Sequence, residues 1–133
     1  MGGAFAYPAL LPLFKDAWGL SNTEAGWIAG LYFAGYTVAV PLLMSLTDRL
    51  DARRIYFIGA LITALAMAGF ALFAEGFYSA AAFWTLAGAG LAGTYMPGLR
   101  ALVDRQSAVA DPRAVAFYTA SFSLGTALSF FAA

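Results

Sequence analysis

Long uncharged stretches alternate with tight groups of charged residues along this chain. Apolar runs cover residues 25–46, 55–74, 77–99 and 114–133, and a shorter one covers 2–14. A helix needs roughly 20 mostly apolar residues to cross a hydrocarbon core of about 30 Å, and each long run meets that length. The apolar signal is continuous rather than alternating, so helices rather than barrel strands must satisfy the backbone. A soluble helical core would need a polar face toward water, and no run shows one. The pattern therefore predicts an all-α membrane protein, a transmembrane helix bundle with spans at about 25–46, 55–74, 77–99 and 114–133. The run 2–14 reaches only about 20 Å as a helix, too short to cross. It reads as the second half of a membrane helix, with Pro8 and Pro12 inside it. It has no basic leader of the kind a signal peptide carries. Ala6 stands where a myristoylation motif wants Ser or Thr.

Local signals place the helix ends. Ser21-x-x-Glu24 fits a capping box for the second helix. Asp111 and Pro112 suit the N-cap and first turn of the last. Pro41 and Pro97 lie inside spans, where each removes a backbone hydrogen bond. The connections are short, which predicts that sequential helices are antiparallel neighbours. Small residues recur at four-residue steps: Gly26, Gly30 and Ala34, then Ala89, Gly93 and Pro97, then Ser121, Gly125, Ser129 and Ala133. In lipid such stripes allow helices to approach closely, so they read as seams. The alternative is that some form thin walls beside a cavity.

Composition agrees with the membrane reading. Hydrophobic residues make up 62% and charged residues 11%, against about a quarter charged in soluble domains. The chain has no His and no Cys. A zinc site, a haem ligand, a Ser-His or Cys-His catalytic pair and a disulfide framework are excluded on that ground. No Asp, Glu, Lys or Arg lies at mid-depth in any span, so no intramembrane aspartyl protease and no buried proton-carrying carboxylate is available within these runs. An enzyme is not expected, and neither is a cofactor. Seven acidic residues balance seven basic ones, which argues against a nucleic-acid partner.

The charges have a side. Arg49, Arg53 and Arg54 follow the second helix, and Arg100, Arg105 and Arg113 follow the fourth, whereas the opposite loops hold only Lys15 as a basic residue. The positive-inside rule puts the two Arg loops in the cytoplasm. Trp18 and Trp27 flank the outer loop, where indole rings favour the interface. The loop Ser45-Leu46-Thr47-Asp48-Arg49-Leu50-Asp51-Ala52-Arg53-Arg54 is more than a basic anchor. Two aspartates weaken attraction to anionic lipid, and their better use is in specific pairs with Arg on neighbouring loops.

This loop resembles the signature between helices 2 and 3 of the major facilitator superfamily, roughly Gly-x-Leu-Ala-Asp-Arg-x-Gly-Arg-Arg. Leu46, Asp48, Arg49, Arg53 and Arg54 match; Met44, Asp51 and Ala52 depart from it. Asp51 in place of Gly lacks the freedom for a tight turn. The stretches GGAFAYPALLPLF with GLSNTEAGWIAGLYFAGY and GAGLAGTYMPGLRALVDR resemble the end of helix 1, the start of helix 2, and helix 4 with its exit. Two other family motifs are missing: Trp84 occupies the helix 4 Arg position if Gly88 is the motif's Gly, and Gly125 is followed by Thr126 rather than Pro.

The resemblance implies a partial N-terminal six-helix domain of a secondary transporter. Such a protein moves a small-molecule substrate across the bilayer by alternating access, together with its remaining helices. A bacterial cytoplasmic membrane is the implied location. It further implies a gate at Asp48, Arg49, Arg53 and Arg54, with Asp104 and Arg105 as partners. Tyr7, Tyr32, Tyr36, Tyr95, Tyr118, Ser121 and Ser123 become candidates for the cavity, with Arg100 at its inner mouth. Each has a local alternative: a membrane Tyr or Ser often bonds a nearby carbonyl, and Arg100 also suits a positive-inside anchor. Two other classes stay open, a small structural or assembly subunit without transport of its own and a homo-oligomeric channel. A channel needs a polar pore stripe, and none is evident.

Overall fold

A computed structural model of the chain describes residues 6–103 and 112–131. Among these residues all regular structure is helical: α1 (Ala6–Trp18), α2 (Asn22–Leu46), α3 (Ala52–Phe73), α4 (Phe77–Val103) and α5 (Pro112–Phe131). With 25, 22, 27 and 20 residues, α2 to α5 extend about 30 to 40 Å, enough to cross a hydrocarbon core. α2 and α3 are also the most lipid-like, with mean hydropathy of 1.5 and 2.1. α4 and α5 give more of their positions to Gly, Ser, Thr and Tyr. Phe33, Val38, Leu42, Phe57, Leu65 and Phe117 are all exposed. A surface this apolar is suited to lipid rather than water.

The helix ends follow from local chemistry. α1 continues past Phe14 through Lys15 and Asp16, and Gly19 at φ 60° follows its end. That left-handed conformation costs Gly little and most residues much. The capping box is present. Ser21 Oγ accepts from the Glu24 N–H at 3.2 Å, and the Glu24 carboxylate accepts from the Ser21 N–H at 2.9 Å. These bonds lie at the aqueous end, ahead of Ala25, and they hold the Glu24 carboxyl below its usual range. Asp51 does not need glycine's freedom. At φ −57° it is the N-cap of α3, and its side chain accepts from the Arg53 N–H at 2.9 Å. Pro112 begins α5, while its expected cap, Asp111, lies outside the described residues.

The neighbour relations differ from the sequential expectation. α4 packs along both α2 and α3, whereas α2 and α3 scarcely meet despite the short turn between them. α4 is the centre because it carries small residues on two faces. On one face Gly88 lies against the backbone of Tyr32, and Gly35 of α2 lies against the backbone of Thr85. On the other, a Cβ added to Gly59 of α3 would stand 2.8 Å from the Gly90 carbonyl oxygen and 2.8 Å from Gly93 Cα. Without a hydrophobic force between helices in lipid, such close approach is what holds them.

The small-residue stripe expected to be the α2 seam is not one. Gly26, Gly30 and Ala34 are exposed, and open space lies beside both glycines. The α2 seam runs instead through Ile28, Tyr32 and Gly35, all buried. Gly93 of the α4 stripe does lie in a seam, the one with Gly59.

At the α1 end of the bundle an aromatic cluster joins four helices. Trp84 of α4, 2% exposed, has ring centroids 5.3 Å from Tyr7, 5.4 Å from Tyr32 and 5.0 Å from Phe70. Phe14 and Trp18 stack on its rim at 4.7 Å from each other. Aromatic pairs at such spacings add to plain burial.

Candidate functional site

Two constellations of polar side chains stand out in an otherwise apolar bundle. The first lies at the turn between α2 and α3. Thr47 caps α2: its N–H reaches the Leu43 and Met44 carbonyls, and its hydroxyl donates to Met44 O at 2.7 Å. Arg100, on the last turns of α4, donates from Nη1 to Thr47 Oγ1 at 2.7 Å and to Asp48 Oδ1 at 2.9 Å. The Asp48–Arg100 pair is partly wet, with side chains 69% and 40% exposed. Thr47 is buried at 6%, so the single Nη1 of Arg100 bridges a protected hydroxyl and a surface carboxylate. An α4 that runs to Val103, beyond residue 99, is what carries Arg100 to this turn on a helix.

The sequence picked out Asp48 and Arg100 but did not pair them. It placed Arg100 at a cavity mouth, whereas the structure places it against Asp48. The expected partners Asp104 and Arg105 lie outside the described residues. Arg49, Arg53 and Arg54 are exposed, and among the described residues they make no ion pair. Asp51, expected to pair with an Arg, spends its carboxylate on its own helix cap.

The second constellation is a cavity of about 490 Å³ walled by α3, α4 and α5, with Tyr32 of α2 at its edge. From α3 come Tyr56, Ala60, Thr63, Ala64 and Met67, spaced as one helical face. α5 contributes Tyr118, Ser121, Phe122 and Gly125, again one face. α4 contributes Leu91, Thr94 and Tyr95. Four expected residues are thus brought together: Tyr32, Tyr95, Tyr118 and Ser121. Four are not. Tyr7 is sealed in the aromatic cluster, 1% exposed, and its hydroxyl donates to Ala25 O at 3.2 Å. Tyr36 is half-buried and Ser123 exposed, both off the cavity wall. Arg100 sits at the end of the bundle. Ser121 and Gly125 of the expected α5 stripe therefore front a cavity rather than closing a seam.

Sequence reasoning missed the α3 wall. Its signal was present: Tyr56 and Thr63 lie two turns apart, with Ala60, Ala64 and Met67 completing the face.

Within the cavity the hydroxyls divide into three groups. Thr63, Thr94 and Ser121 each donate to a carbonyl of their own helix, at 2.9, 2.9 and 2.7 Å. Tyr118 donates across the gap to α4, lying 3.0 Å from Thr94 O and 2.8 Å from Tyr95 O. These carbonyls belong to the turn beside Pro97, whose missing N–H removes a rung of the helix. Tyr32, Tyr56 and Tyr95 make no hydrogen bond to any described residue. Among the described residues no charged side chain lines the cavity. Among the described residues no group of three His, Cys, Asp or Glu gathers to hold a metal.

The family model of the Major Facilitator Superfamily matches residues 1–133. Neither an individual curated protein nor a solved structure gives a match.

Proposed function

The chain belongs to the Major Facilitator Superfamily, and on that premise we propose that it forms part of a secondary transporter that moves a small solute by alternating access. Membership makes it a membrane transport protein. The finer reading rests chiefly on one observation: a cavity of about 490 Å³ walled by uncharged hydroxyls inside a bundle whose outer surface is apolar. That volume lies within the range of small-molecule sites, about 300–1,000 Å³. We place the solute there, between this helix group and the further helices of an N-terminal six-helix half and its opposite half.

The gate is the Asp48–Arg100 pair. It ties the α2–α3 turn to the end of α4, so it holds only while those two elements keep their present relation. A pair made in one state and broken in the other sets the ratio of the two populations. An exposed pair is worth about 0–1 kcal/mol, so this one biases the equilibrium without locking it. Arg49, Arg53 and Arg54 belong to the same cytoplasmic gate as groups that engage in another state, and Asp104 and Arg105 are its further partners. The Arg-rich turns face the cytoplasm by the positive-inside rule, in a bacterial inner membrane.

Asp48→Asn in the full-length protein, reconstituted in proteoliposomes, tests the gate. Solute flux is expected to fall several-fold while expression and helix content stay at wild-type level. Wild-type flux in that variant removes the gate. The absence of flux for any solute in a broad screen returns the protein to the reading of a structural subunit.

A further inference from the structure

We propose that the cavity selects an uncharged aromatic solute bearing hydroxyl or carbonyl groups, and that the Tyr32 hydroxyl is a principal contact; this rests on the cavity being the transport site. Tyr32 is 4% exposed and lines the cavity, yet its hydroxyl has no partner among the described residues. A buried hydroxyl left unpaired costs free energy that a bound partner recovers. The cavity wall carries two more phenols that make no hydrogen bond to a described residue, Tyr56 and Tyr95. Thr63, Thr94 and Ser121 have used their protons on their own helices and keep lone pairs free to accept. The wall thus offers both donors and acceptors to a ligand.

The rest of the wall fixes the body of that ligand. Five rings, Tyr32, Tyr56, Tyr95, Tyr118 and Phe122, surround the space, with Met67 and Leu91 between them. Tyr95 already packs edge-on against Phe122 at 5.1 Å, the kind of arrangement a further ring can join. Among the described residues none that lines the cavity is charged, so a carboxylate or ammonium would meet no counter-ion from them and lose its hydration. Sugars satisfy the hydroxyls and leave much of the aromatic wall uncovered.

Equilibrium dialysis of the full-length protein in nanodiscs against 4-hydroxybenzyl alcohol, 4-hydroxybenzoate and glucose tests this. Saturable binding is expected for the alcohol, at least tenfold tighter than for the anion or the sugar. Tyr32→Phe is expected to weaken it about tenfold, while Tyr78→Phe, on the outer surface, leaves it unchanged. Ser121→Ala, on the α5 wall, is expected to weaken it several-fold, and it decides the matter should Tyr32→Phe lose its circular dichroism. No saturable binding, tighter binding of 4-hydroxybenzoate or glucose, or full affinity in both cavity variants overturns the proposal. Flux in proteoliposomes is read separately. Flux of another solute without alcohol binding ends this class and leaves the transporter standing, whereas binding without any flux does the reverse.

Discussion

α4 meets its neighbours in two unlike ways. Against α2 and α3 it is closed, backbone on backbone, through Gly88, Gly90 and Gly93, and the Trp84 cluster fills one end. Toward α5 it stands off around a cavity, and Tyr118 reaches across to the Thr94 and Tyr95 carbonyls. The difference lies in what holds helices together in lipid. Close van der Waals approach makes a stiff joint, because any change in helix relation breaks many contacts at once. A joint made by one phenol and a few rings can open at small cost, and moving parts of transporters need that property.

The largest expected effect falls on the closed side. Trp84→Ala removes the ring that Tyr7, Tyr32 and Phe70 share, and aromatic truncations of this kind cost about 3–5 kcal/mol. Unfolding in micelles is expected to show a loss of about 3 kcal/mol. A loss under about 0.5 kcal/mol, the level of a neutral surface change, would mean that the cluster does not hold the bundle.

Next comes the seam itself. Gly59→Leu forces atoms into the space beside the Gly90 carbonyl and Gly93 Cα, both 2.8 Å from the added Cβ, and overpacking of this kind costs about 1–3 kcal/mol. Gly26→Leu puts the same group into open space and is expected to stay within about 0.5 kcal/mol of wild type. The two variants side by side sharpen the contrast between the true seam and the one the small-residue spacing suggested. Equal costs would erase it.

That pair also marks where the sequence stops being informative. The helices, the Ser21 capping box and the start of α5 at Pro112 follow from runs and caps, which are local. Which face of α2 meets α4 is not local. Gly26, Gly30 and Ala34 have the spacing of a seam, but Ile28, Tyr32 and Gly35 occupy it, because Thr85 and Gly88 of α4 accept them there. The same holds for the site. Asp48 and Arg100 are visible as charges, but their pairing depends on α4 running on to Val103 and lying beside the α2–α3 turn. Tyr7 and Tyr118 look alike in sequence. One closes on Ala25 inside the cluster, and the other bridges to a neighbouring helix at a proline. Half of the expected cavity residues line the wall, and the α3 face with Tyr56 and Thr63 was hidden within the most apolar run of the chain.

Among changes to interhelical contacts, the smallest expected loss of stability belongs to the open side, and it tests the comparison most directly. Tyr118→Phe keeps the ring against Tyr95, now at 6.3 Å between centroids, and removes only the proton shared between the Thr94 and Tyr95 carbonyls. An interhelical hydrogen bond in a membrane is worth about 0.6 kcal/mol on average and rarely above about 1.7, so global unfolding is expected to shift by about 1 kcal/mol at most. The effect on α5 alone should be clearer, because few other contacts fix it. Hydrogen exchange of the α5 amides is expected to rise several-fold, while amides of α3 around Gly59 keep their protection. If α3 and α5 loosen together, the two joints are one cooperative unit and the division drawn between them fails. If neither changes, Tyr118 does not pin α5, and the rings of Tyr95 and Phe122 must do so instead.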